Sequence, residues 1–115
     1  MANLDRLTET HLATARTAEH GRSAEILVHD GPLRQTVIAL AAGVELGEHN
    51  SPPAASVQVL HGRVRVTALD AGDEDVGVGE LRVLTHDRHA VRALTDAAFL
   101  LTTVTGFDWP GSPTA

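Results

Sequence analysis

Between Ala24 and Thr105 the chain breaks into short runs rich in aliphatic and β-branched residues, none longer than eight, with turn residues between them. The runs are Glu25 to His29, Arg34 to Ala41, Ser56 to Leu60, Arg63 to Leu69, Leu81 to Leu84, Ala90 to Leu94 and Ala98 to Thr105. The breaks hold Asp30-Gly31-Pro32, Gly47, Pro52-Pro53, His61-Gly62, an acidic tip from Asp70 to Asp75, and Gly77 and Gly79. Gly, Pro and Asp end strands because they supply backbone angles that a ladder does not tolerate. Seven or eight strands at this spacing predict an antiparallel sandwich or barrel.

Strand parity sharpens the expectation. Val57 and Val59 share one face, Val64 and Val66 share another, and His61-Gly62 reads as the tight link of a hairpin between them. Ala98-Phe99-Leu100-Leu101 is apolar on both faces, so this strand needs cover outside as well as inside. Ahead of the strands, Leu4, Leu7, His11, Ala15 and Ala18 recur at helical spacing, with Asn3 as a cap and Gly21 as a stop. That predicts an amphipathic helix from Asn3 to His20 lying on the sheet. The helix and a partner chain are the two candidates for the missing cover.

Length and composition bound the rest. A chain of 115 residues is the size of one domain with one core, divided here into a helix over 3–20, a β-barrel over 24–105 and a tail over 106–115. There is no cysteine, hence no disulfide framework and no thiolate site. No stretch approaches the roughly 18 apolar residues of a membrane span, and the first ten residues hold no apolar run, so the expected address is the cytoplasm. The net charge is −6 and the nine basic residues, all arginine, are scattered, which argues against nucleic acid as a partner. Phe99, Phe107 and Trp109 are the whole aromatic set, too few for a base-stacking platform. Gly77 and Gly79 lack the lysine of a phosphate loop, and Ser51, His49 and Asp87 lack a nucleophile elbow.

One set of spacings carries chemistry: Gly43, five residues, His49, one residue, Ser51, three residues, Ala55, six residues, Gly62. A second region opens at Gly79 and reads GELRVLTHDRHAVRALTDAAFLLTTV. The two resemble the paired motifs of small, conserved-barrel, RmlC-like cupins, over about residues 34 to 105. In that family Ser51 would be a second histidine and Ala55 a glutamate. In the second motif Thr85 stands at the proline position, Asp87 at the glycine, and His89 comes one residue early. The resemblance implies an all-β fold, a double-stranded β-helix or jelly-roll barrel preceded by one α-helix. It also implies a homodimer in which N-terminal segments and sheet edges pack across a two-fold axis. Cupins host many unrelated functions, so fold alone names no activity.

The four motif positions differ in what they can hold. His49 and His89 would face the interior near the mouth, each with an imidazole nitrogen for a divalent transition metal such as Zn, Fe, Mn or Ni. Ser51 hydrogen-bonds a ligand or water but ligates a divalent cation poorly, and Ala55 coordinates nothing. Two histidines make a thin site, since protein zinc sites use three or four ligands, and His86, three residues before His89, is the candidate recruit. For each histidine the competing reading is a hydrogen-bonded interior or rim residue. His11, His20, His29 and His61 fall at helix or turn positions and are expected to be solvated.

By parity Val57, Val59, Val66, Val91, Phe99 and Leu101 line the interior, and Gln58 points out. His49, Ser51, Ala55, Val57, Val59, His89, Val91, Phe99 and Leu101 together describe a modest greasy pocket with a few polar groups, suited to a small, largely apolar metabolite. The same residues would serve simply to fill a barrel. Phe107 and Trp109 read as a lid over an edge or as anchors in a dimer interface, with fraying beyond Pro110. Three functions stand open: a non-enzymatic binding or sensing barrel, a metal-dependent oxygenase or isomerase, and a structural dimeric barrel.

Overall fold

The computed structural model describes residues 1–47, 54–68, 72–84 and 89–105. Helix α1 spans Leu4–Thr17 and is followed by β1 (Arg22–Asp30), β2 (Leu33–Leu40), β3 (Glu45–Gly47), β4 (Ala54–His61), β5 (Arg63–Ala68), β6 (Gly72–Gly77), β7 (Leu81–Leu84), β8 (His89–Ala93) and β9 (Ala97–Val104). The strands form two antiparallel sheets, one of five strands in the order β1-β2-β9-β4-β7 and one of four in the order β3-β8-β5-β6. Their inner faces enclose one core, in which Leu40, Val57, Val59, Val64, Val66 and Phe99 are almost fully buried. The all-β fold with one N-terminal helix is the expected one. No helix among the described residues is long and apolar enough to cross a membrane.

The helix starts where its cap predicts. Asn3 is extended and its Oδ1 accepts a hydrogen bond from the Arg6 N–H at 3.0 Å, satisfying one of the orphan donors of the first turn. Asp5 in the first turn and Arg16 in the last complement the helix dipole. The end comes at Thr17, short of the expected His20, because Ala18 is already extended to feed β1. Gly21 makes the turn at φ +67°, and a Cβ there would sit 2.6 Å from Val44 Cγ2.

The expected hairpin between Val57-Val59 and Val64-Val66 does not form. β4 pairs with β7 and β9, while β5 pairs with β6 and β8. At Gly62 the chain therefore steps from one sheet to the other. Alternating valines satisfy a core equally well from strands side by side or from strands facing each other across it, so periodicity could not tell these apart.

Two other expectations change. The acidic tip expected at Asp70 to Asp75 is, from Gly72, the strand β6, whose Asp75 pairs with Arg65 of β5. The Arg65 Nε donates to Asp75 Oδ1 at 2.8 Å, and Val76 turns inward at 3% exposure. Cross-strand charge and one buried valine outweigh the weak β-propensity of Asp and Gly. The three-residue β3 was also unexpected, bringing the strands among the described residues to nine.

The two ends of the sandwich differ. One is closed by short backbone-bonded turns: Gly43 N–H donates to Ala93 O, Ala93 N–H to Val44 O, and Leu94 N–H to Arg63 O. The other, the loop end, is where β3, β5, β7 and β9 finish and β4, β6 and β8 begin.

Outside the five-stranded sheet, α1 covers part of the strand expected to need it. Leu12 and Ala15 pack on Ala39 and Ala98, both fully buried. Alanines on the sheet side let the helix approach closely. Leu100 and Leu101, further along β9, are only half-buried.

Candidate functional site

The loop end gathers the chemistry-bearing positions that the described residues contain. His89 opens β8 opposite Ala68 of β5, alternates inward with Val91 and Ala93, and is 4% exposed. On the other sheet Ala55, near the start of β4, also faces inward, opposite Leu84 and Thr103. Below them lie Val57, Val66, Val91 and Phe99, all buried, with Leu101 and Leu46 half-buried against the same cluster. The interior set expected from parity is thus on one core, and Gln58 points out and is exposed as expected. His49, Ser51 and His86 lie outside the described residues, as do Phe107 and Trp109.

The donor chemistry of the described wall is thin for a transition metal. His89 supplies one imidazole, while Ala55 occupies the position where the family resemblance puts a carboxylate and has no donor atom. No three His, Asp, Glu or Cys side chains come together among the described residues. A borderline divalent cation needs three or four protein donors and gains much of its affinity from anionic ones, and the described residues by themselves do not supply that set.

Two polar residues behave differently from their sequence appearance. Arg82 shares the inward face with Val57 and is half-buried, its Nε 3.3 Å from Glu74 Oε1 on β6. That pair spans the gap between the edge strands of the two sheets, and the arginine stem covers the margin of the core. Its signal was the alternation of Leu81-Arg82-Val83-Leu84, in which arginine takes the inward phase.

His11 is the second case, expected to be solvated but only 8% exposed. Its Nδ1 lies 2.7 Å from Ser23 Oγ and its Nε2 3.0 Å from Glu25 Oε1. An ionised carboxylate only accepts, so in the neutral ring Nε2–H donates to Glu25 and Nδ1 accepts from the Ser23 hydroxyl. Helical period put His11 on the sheet-facing stripe with Leu7, Ala15 and Ala18, and the buried face of a helix needs polar partners for any imidazole it carries. Ser23 and Glu25, two apart on β1, provide them. The ring ties helix to sheet and sits away from the loop end. His20, His29 and His61 are exposed, as expected.

Asp96 anchors the other end of the helix. Its Oδ2 accepts from Arg16 Nε at 2.9 Å and its Oδ1 from the Ala42 N–H at 2.9 Å. The hydrogen bond from Arg16, then that from Ala42, hold its carboxyl below the ordinary aspartate range. Asp75 is lowered in the same way, first by the hydrogen bond from Arg65.

No family model matches the chain, and no curated protein does. Solved structures do. The chain is similar to a conserved protein of unknown function from Streptococcus pyogenes at 30% identity, with 78% of this chain and 79% of that one covered and a TM-score of 0.69. An RmlC-like cupin protein from Desulfovibrio desulfuricans is 23% identical over 72% of this chain and 81% of its own, with a TM-score of 0.64. A cupin superfamily protein from Desulfitobacterium hafniense is 16% identical, covers 78% and 83%, and reaches a TM-score of 0.70. The paired antiparallel sheets, the step between them at Gly62 and these likenesses agree: the chain has the fold of the cupins, as a small RmlC-like jelly-roll domain.

Proposed function

We propose that this cupin binds a small, largely apolar metabolite at the loop end, beside His89, and does so without a resident metal. The observation that carries the reading is the composition of the inward wall. His89 faces inward from one sheet and Ala55 from the other, and the buried cluster continues through Val57, Val66, Val91 and Phe99. An apolar wall with a single imidazole at its rim favours a ligand with an apolar body and one polar group, the body held by exclusion of water and the head fixed by hydrogen bonding. His49 and Ser51 are the residues proposed to complete the rim.

The test has two arms. Metal analysis of protein purified without chelator or nickel resin is expected to give far less than one transition metal per chain, with no rise on adding zinc, iron or manganese. A stoichiometry near one would instead support a metal-dependent oxygenase or isomerase with His49 and His89 as ligands. In the second arm, a thermal-shift screen of small aromatic and aliphatic metabolites is expected to yield a stabilising compound. At about a hundredfold excess over Kd the gain is about 2.7 kcal/mol, and His89→Ala should abolish it. A broad screen with no stabilising compound counts against the proposal.

A further inference from the structure

Two rows of inward-phase residues cross the interior one step deeper than His89. On the five-stranded sheet the row runs Thr36, Leu101, Val57 and Arg82 over β2, β9, β4 and β7. On the four-stranded sheet it runs Leu46, Val91, Val66 and Glu74 over β3, β8, β5 and β6. Each row is apolar through its middle, where Val57 and Val66 are fully buried, and ends in one charged residue on an edge strand. Where the rows end, Arg82 and Glu74 meet.

Filling space does not account for an arginine there. Enclosing a guanidinium beside valines strips it of hydration, so packing alone favours an uncharged side chain of similar length at the end of the row. The pairing that would offset this cost is incomplete. Glu74 is 61% exposed, its Oε1 approaches Arg82 Nε at 3.3 Å, and the buried Nε–H makes no hydrogen bond among the described residues. An arginine matched to its own carboxylate holds it with two parallel hydrogen bonds. Arg34, in the inward phase opposite Thr103, is by contrast committed: its Nη1 donates to the carbonyls of Gly31 and Leu33 in the β1–β2 turn.

We propose that the ligand of this interior is a small carboxylic acid with an apolar body, and that Arg82 binds its carboxylate. The inference rests on the binding reading above and gives the ligand's polar group a charge. The body lies along Val57, Leu101, Val66 and Val91, and the planar carboxylate takes donors of a guanidinium that stays cationic at any working pH. Glu74 is the competing counter-ion, which the ligand displaces from Arg82. One guanidinium with a carboxylate beside it suits a monoanion better than a phosphate. An amide of the same shape carries no charge with which to displace Glu74.

Isothermal titration at neutral pH with acid-amide pairs, benzoate with benzamide and isovalerate with isovaleramide, tests this. The acids are expected to bind about tenfold tighter than their amides. Arg82→Gln should bring the acids down to the affinity of the amides and leave the amides unchanged. Glu74→Gln, at an exposed side chain, should raise the affinity for the acids several-fold and again leave the amides unchanged. Equal affinity for acid and amide in the wild type overturns the carboxylate assignment while the apolar binding reading stands. Acids that keep their advantage in folded Arg82→Gln overturn it too, by placing the cation elsewhere. Should that variant not fold, Glu74→Gln decides alone, and an unchanged acid affinity there overturns the role of Arg82. Binding of neither acids nor amides overturns both this inference and the reading beneath it.

Discussion

Gly62 stands at the corner where the chain leaves the five-stranded sheet for the four-stranded one, with φ +74° and with the Asp96 carbonyl and Thr95 Oγ1 occupying the space a Cβ would need. Any side chain there meets both a left-handed backbone and the neighbouring turn. Gly62→Ala is expected to cost about 1–3 kcal/mol or more, read as a lower urea midpoint at unchanged m-value; an unchanged midpoint would mean the corner relaxes freely. His11 is the second residue whose environment decides its role. Removing the ring leaves the Ser23 hydroxyl and Glu25 carboxylate without their partner and opens a gap under α1, so His11→Ala is expected to lose about 1–3 kcal/mol in the same assay. A loss near zero would show that water replaces the imidazole at no cost. Helical spacing placed His11 on the buried stripe, yet its partners were invisible, because Ser23 and Glu25 become neighbours only when β1 folds back under the helix.

Among the elements, α1 is held by contacts of different kinds at its two ends: a side-chain cap at Asn3, and at the far end the Arg16 and Ala42 bonds to Asp96. Because those bonds lower the Asp96 carboxyl, the unfolded chain binds its proton more readily than the native one as the pH falls. The contribution is fully present above the ordinary aspartate range, near pH 3.9, and is lost as pH falls through the lower native value. Asp96→Asn is expected to flatten the acid limb of a stability-against-pH profile below about pH 4 while shifting the neutral plateau only modestly, since the pair is partly exposed. A variant whose acid limb matches wild type would assign acid sensitivity to other carboxylates. At this scale the sequence was readable in its periods and misleading in its partners. Leu81 to Leu84 coincides with β7, and the other expected runs overlap their strands. By contrast Gly72 to Asp75 looked like part of a turn, because its β-character depends on Arg65 across the ladder rather than on its own side chains.

For the whole molecule, what was legible was the interior: Val57, Val59, Val66, Val91 and Phe99 fall on one buried cluster because alternation fixes a residue's face without reference to its neighbours. The motif spacing from Gly43 to Gly62 likewise placed Ala55 and, with the second motif, His89 at one end of the barrel. The proposed binding reading belongs to this scale, resting on the inward wall at the loop end. By itself the amino-acid sequence determined the fold class, the strand phases and which side chains are apolar inside, since these follow from local period and turn chemistry. Only the tertiary structure decided that β4 and β5 face each other instead of pairing. It also decided that Arg82 closes an edge and that His11 is buried. Each of these depends on which strand lies next to which, and contacts between residues far apart in the chain are set by the packing of both sheets at once.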